Sequence, residues 1–174
     1  MMTRRVAGLV FLAALMPAGC GPGGGLDWKE LTSEDGRFKV LMPAEPAKQS
    51  VKEEPPVGPI TVNYYTVKYK ADGFFAGWAD LPAKPAFATD DILKGIAQRY
   101  GAEVKSSKEI TFQDNPGREF TLETNRGRKV VGRLYVVRDR LYELIVIGDG
   151  PNPPASAEVK KFFESFQLLD PLMK

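Results

Sequence analysis

No histidine occurs in this 174-residue chain, and cysteine occurs once. The first absence removes the Ser-His-Asp and Cys-His arrangements of nucleophilic catalysis. It also removes imidazole-based transition-metal sites and the side chain whose ordinary pKa best suits proton transfer near neutrality. The second means that no disulfide forms within the chain, although an oxidising compartment would permit one. A charge surplus is missing too: the formal net charge is +2. Without Arg4 and Arg5 near the start, the chain has 22 Lys and Arg against 22 Asp and Glu. A nucleic-acid binder normally carries a basic excess, so no nucleic-acid partner is expected, and no polybasic membrane patch is supported. Long apolar runs are absent as well. The run from Val6 to Met16 falls short of the ~20 residues that cross a bilayer core.

Carboxylates are what remain for chemistry, either as glycosidase-like pairs or as oxygen-ligated calcium sites. Neither has a local signature. Glu53-Glu54 adjoins Pro55-Pro56 and reads as a solvated loop. Asp90-Asp91 stands at a helix start, where carboxylates cap N–H groups and meet the positive end of the helix dipole. Asp149 to Pro154 reads as a turn, and Arg126 to Lys129 as a solvated hairpin tip. The expectation is a non-enzyme with no catalytic residues, no metal and no cofactor.

The start of the chain has a basic segment at Arg4 and Arg5, then the apolar run, then small residues at Ala18 and Gly19, which is the build of a secretory signal. Ala18-Gly19-Cys20 resembles the end of a bacterial lipoprotein signal, with Pro17 where that family usually has Leu. The resemblance implies that Cys20 is acylated and becomes the new N-terminus. Two or three acyl chains, at ~0.8 kcal/mol per buried methylene, would hold the protein at a membrane. Gly21 to Gly25, with Pro22 among glycines, reads as a flexible tether; no lysine-serine/threonine pair makes it a phosphate loop. The expected organisation is a signal over residues 1–19, a tether over 20–27 and one domain over 28–174, exported and facing the periplasm or cell exterior.

Along the domain, Phe38, Val40 and Met42 alternate as one face of a strand ended by Pro43. Residues 44–59, rich in Pro, Lys and Glu, predict a long, exposed and mobile connection. Ile60–Tyr69 and Phe74–Leu81 predict a hairpin. The aromatic set Tyr64, Tyr65, Tyr69, Phe74, Phe75 and Trp78 reads as sheet and core packing. Ile92, Ile96 and Tyr100 recur every four residues, with Thr89 or Asp90 to cap and Gly101 to close a short amphipathic helix. Ile110 and Phe112 precede an expected turn at Asn115-Pro116-Gly117, and another hairpin is expected at Asn125-Arg126-Gly127. "KVVGRLYVV" and "LYELIVIG", joined by Arg138 to Arg140, read as the most buried strands. Val159, Phe162, Phe163 and Phe166 place one apolar face on a final helix, with Ser156 to cap it.

These elements predict an α+β domain whose mostly antiparallel sheet is covered by helices. "GRFKVLMPAEP", "NPGREF", "RLYELIVIG" and "FFESFQLL" resemble the PsbP-type fold, the αβα sandwich of photosystem II extrinsic proteins and related bacterial envelope proteins. The resemblance implies a largely non-catalytic assembly or stabilising partner of larger complexes and carries over no catalytic residue. The functional expectation is therefore a lipid-anchored envelope module that binds an envelope protein. The alternative is a carrier of a small apolar or lipid ligand held between the sheet and the Phe162 helix. Mass spectrometry of protein extracted from its own membranes should give a mature mass beginning at Cys20 plus acyl chains. A bare polypeptide would make Cys20 an ordinary thiol and remove the anchor.

Overall fold

The computed structural model describes residues 27–53, 58–82, 89–148 and 157–169. Cys20, the Gly21 to Gly25 stretch, Glu54, Asp149 to Pro154 and Ser156 lie outside the described residues. In chain order the elements are β1 (Lys29–Ser33), β2 (Phe38–Met42), β3 (Ala47–Glu53), β4 (Ile60–Tyr69) and β5 (Asp72–Asp80). They are followed by α1 (Thr89–Arg99), β6 (Ala102–Phe112), β7 (Asn115–Thr124), β8 (Lys129–Val137), β9 (Arg140–Ile147), α2 (Ala157–Glu164) and β10 (Gln167–Leu168). A seven-stranded antiparallel sheet has the order β3-β4-β5-β9-β8-β7-β6, and a three-stranded sheet has the order β1-β2-β10.

The central strand is β9, in which every residue after Arg140 is buried. A strand covered on both faces needs a near-continuous apolar run, and "LYELIVI" supplies one with a single charged interruption, Glu143. On one face Leu141, Ile145 and Ile147 pack with Ile92, Leu93, Ile96 and Ala97 of α1. On the other, Tyr142, Leu144 and Val146 pack with Val159, Phe162 and Phe163 of α2 and with Leu31, Phe38, Val40 and Met42 of the small sheet. The first face of α1 follows the four-residue recurrence of its sequence, and Gly101, at φ 54°, ends the helix with its N–H on the Gln98 carbonyl at 3.0 Å.

The α2 face is dense with rings. Phe74 and Phe162 meet edge to face with centroids 5.5 Å apart. Phe166, just past the helix, lies 5.6 Å from Phe38 and 5.6 Å from Tyr142 and stacks on Tyr135 at 5.8 Å. Such pairs contribute ~0.5–1.5 kcal/mol beyond area burial. Phe74 is core, and Tyr65, Tyr69 and Trp78 pack against the same cluster, while Phe75 packs on the α1 side. The aromatic set is thus used for sheet and core packing.

Three expectations change. Residues 44–59 are not one long connection, because Ala47–Glu53 pairs along its length with β4. All but the last residue of this edge strand are exposed, so it needs no apolar alternation and betrays itself only through backbone pairing. The turn expected at Asn115-Pro116-Gly117 sits two residues earlier, at Gln113 and Asp114, whose φ values of 48° and 63° suit a tight hairpin turn. Asn115 braces it by donating to the carbonyls of Phe112 and Gln113 at 3.2 and 2.8 Å. Gly117 instead lies within β7, where a Cβ would come 2.5 Å from the Leu134 carbonyl; its glycine permits close strand approach. Finally, the helical cover is narrow: α1 and α2 have 11 and 8 residues, and the small sheet shares the second face. Among the described residues no helix is long and apolar enough to cross a membrane.

Phe162 is fully buried, so Phe162→Ala should destabilise by ~3–5 kcal/mol in chemical denaturation. Lys160→Ala on the solvent side should stay within ~0.5 kcal/mol. An unchanged midpoint for Phe162→Ala would refute the orientation of α2.

Candidate functional site

One charged cluster lies inside the α1 face of the large sheet. Tyr64 on β4, Gly77 on β5 and Glu143 on β9 are successive cross-strand partners. Gly77 leaves room for the Tyr64 ring, since a Cβ there would come 2.7 Å from Tyr64 Cδ1. Into this row reaches Arg99, the last residue of α1, where a cation also meets the negative end of the helix dipole.

Arg99 joins three strands. Its Nη2 donates to Glu143 Oε2 at 2.6 Å, and its Nη1 donates to Glu53 Oε1 and Oε2 of β3 at 3.0 and 3.2 Å. Nη1 also lies 2.5 Å from the Tyr64 hydroxyl oxygen, and that hydroxyl donates to Glu53 Oε1 at 3.2 Å. The guanidinium stands over the Tyr64 and Tyr100 rings at 5.5 and 5.2 Å. Arg99 Nε is buried with no hydrogen-bond partner.

Burial sets the electrostatics. Glu143 is 2% exposed, and that burial pushes its carboxyl up from the usual range although Arg99 opposes the shift. For Arg99, burial alone would favour the neutral form, but Glu143, the Tyr100 and Tyr64 rings' hydroxyls and Glu53 outweigh it and hold the guanidinium charged. Tyr64 is raised by burial and by Glu143, and Tyr100 is pushed up to about 12, chiefly by burial. Both phenols stay neutral near pH 7. The cluster is therefore a charge clamp: two carboxylates face one cation, and the more buried carboxylate faces away from solvent. Its chemical competence is to fix α1 to β3, β4 and β9.

A second arginine secures the other end of the helix. Arg118 on β7 donates to Thr89 Oγ1 at 3.1 Å and pairs with Asp90 at 2.8 Å. It also reaches Ser107 at 2.9 Å. Asp91 pairs instead with Lys94, one turn along α1, at 3.0 Å. Asp90 thus serves structure through an arginine of the sheet, and Asp91 through a lysine of its own helix.

Glu53 corrects the sequence reading: it is not a solvated loop residue but a partly buried ligand of Arg99. Around the Arg126 to Lys129 tip, Lys129 pairs with Glu123 and Arg128 donates to the Gly148 carbonyl at 3.3 Å, while Arg126 is exposed. Cys20 and Asp149 to Pro154 lie outside the described residues. Sequence reasoning missed Arg99 and Glu143. The available signal was Glu143 itself, a lone carboxylate inside an apolar strand, which requires a buried cation somewhere in the fold. Among the described residues no group of three or more His, Cys, Asp or Glu is placed to hold a metal ion.

Open grooves flank the sheet and have mixed linings. One of 390 Å³ is bordered by Gln49, Thr66, Lys68, Gly73, Phe75 and Arg128. Another of 380 Å³ lies beside Thr89, Glu109, Thr111, Pro116 and Gly117.

No family model and no curated protein matches the chain. Among solved structures, the chain is similar to cyanobacterial PsbP (CyanoP) from Synechocystis sp. PCC 6803. The identity is 12% over 87% of this chain and 98% of that one, with a TM-score of 0.56. The fold is thus PsbP-like. A Pseudomonas aeruginosa protein of unknown function, PA94, a putative regulator, matches at 9% identity over 74% of this chain and 84% of its own, with a TM-score of 0.36.

Removing Arg99 leaves Glu143 buried without its cation. Arg99→Ala should cost about 3–5 kcal/mol at pH 7. A carboxyl whose folded pKa lies above its unfolded value loses stability as pH rises and regains it on acidification. The deficit relative to the parent should therefore narrow as the pH falls through the raised pKa of Glu143. Denaturation series at neutral and mildly acidic pH check this; a deficit independent of pH would place the loss in packing alone.

Proposed function

We propose that this protein is a non-catalytic, lipid-anchored module on the outer side of the membrane that binds another protein of the cell envelope. The observation that supports the reading is the ring packing beneath α2 among the described residues. Between α2 and the large sheet, Phe38, Phe74, Phe162, Phe166 and Tyr142 meet ring to ring, where a carrier would need an apolar cavity. That packing favours the surface as the working part.

Three further features support it. The lipoprotein-like Ala18-Gly19-Cys20 end suits a domain held near a membrane. The αβα arrangement agrees with the PsbP-type resemblance, which implies an assembly or stabilising partner; the shared fold alone assigns no activity. The buried carboxylates are committed to Arg99, which is a structural use of the side chains that an acid-base enzyme would need open.

Crosslinking in intact cells should return one reproducible envelope protein. Cys20→Ser should release the chain from the membrane fraction and reduce that yield. Recovery of only random envelope proteins would overturn the interaction reading. A stoichiometric apolar compound in an organic extract of native protein would favour the carrier instead.

A further inference from the structure

The β1–β2 loop and the turn between β8 and β9 meet at a cavity of 250 Å³ lined by Arg37, Asp80, Arg138, Asp139, Arg140 and Tyr142. Arg140 is committed: its Nε donates to Asp80 Oδ1 at 2.7 Å, and its Nη1 donates to the Asp35 carbonyl at 2.9 Å. It also lies 4.4 Å from the Trp78 ring centroid. Arg37 differs. It is exposed, and its guanidinium makes no hydrogen bond or ion pair among the described residues.

Tyr142 is 0% exposed, and its hydroxyl is buried with no hydrogen-bond partner. Burial raises its pKa, opposed by Arg140, whose guanidinium lies near enough to donate weakly toward the hydroxyl oxygen, and by Arg37; the hydroxyl's own proton has no acceptor. Trp78, its direct cross-strand partner, carries a second buried N–H without one. Buried donors are almost always paired, and an unpaired one points to an absent acceptor.

The occupant is bounded by charge and size. The lining holds three arginines and two aspartates; Arg140 pairs with Asp80 and Arg138 has a contact of its own, so Arg37 is the cation that faces an incoming anion. The volume of 250 Å³ is below the ~300–1,000 Å³ of ordinary small-molecule sites, but it admits a side-chain carboxylate. Guanidinium groups bind carboxylates with paired, charge-assisted hydrogen bonds. We propose that this cavity receives the carboxylate of an Asp or Glu side chain of the partner protein, with Arg37 and the Tyr142 hydroxyl as donors. This rests on the interaction-module reading.

The test titrates the full chain with acetate and, separately, with inorganic phosphate at matched ionic strength, followed by backbone amide NMR. Acetate should give saturable shifts confined to Arg37, Arg138, Asp139, Arg140 and their neighbours. Arg37→Gln should weaken this by about tenfold, equivalent to ~1.4 kcal/mol. Tyr142→Phe should weaken binding while leaving the thermal midpoint nearly unchanged or higher, because the deleted O–H donates to nothing in the free protein. A merely structural tyrosine would lower the midpoint and leave the acetate titration alone. No localised acetate shift, or tighter binding of phosphate, overturns the carboxylate assignment. In cells, capture of the same partner by Arg37→Glu at parental yield would overturn the cavity's role and leave the interaction reading standing. Capture of no partner by the parent chain would overturn that broader reading itself.

Discussion

A carboxylate in the middle of the central strand has to be answered by a cation, and in this fold Arg99 does so from the end of α1. Glu143 is 2% exposed and flanked on its own face by Leu141 and Ile145, so an uncompensated charge there would be expensive. Meeting this requirement places the last residue of α1 over β9. It also draws Glu53 into the same guanidinium, which ties the edge strand β3 to the sheet interior through Tyr64. Ion pairs of this kind need not add net stability over an apolar core. Their effect here is positional, since the apolar stripe of an 11-residue helix could slide across a sheet face that the two arginine contacts pin at both ends.

The opposite face uses shape in place of charge. Phe166 touches Phe38, Phe112, Tyr135 and Tyr142, so four strands and the tail of α2 converge on one ring. The small sheet completes what an 8-residue helix is too short to cover. This explains why the PsbP-like fold is sheet-dominated while still burying both faces of its central strands.

The edges of the large sheet carry features that discourage further strand addition. On β3, Lys48 and Lys52 stand exposed beside Val51, which is 46% exposed. On β6, Lys105 and Lys108 accompany a break in register between Val104 and Ser106. Lysines and bulges on edge strands are the usual protection against edge-to-edge pairing. Under the proposed reading, a partner would be recognised through side-chain surfaces rather than through an open backbone edge.

Most elements and their buried faces follow from local patterns in the chain. Alternation in Phe38–Met42, the four-residue recurrence from Ile92, the ring face of Val159 to Phe166 and the apolar run of β9 all reappear as core. These patterns are local, because burying one face of a regular element imposes its own period on the chain. Tertiary structure decided what no local period encodes. The polar residues of Ala47–Glu53 became a strand because β4 offered backbone partners. Gly117 lies in a strand through pairing with β8, at a point where the Leu134 carbonyl passes too close for a side chain. The Arg99 clamp gathers residues 53, 64, 99 and 143, whose chain separations leave no spacing to read. A charge pair is defined by position in space, and only the folded sheet brings those positions together.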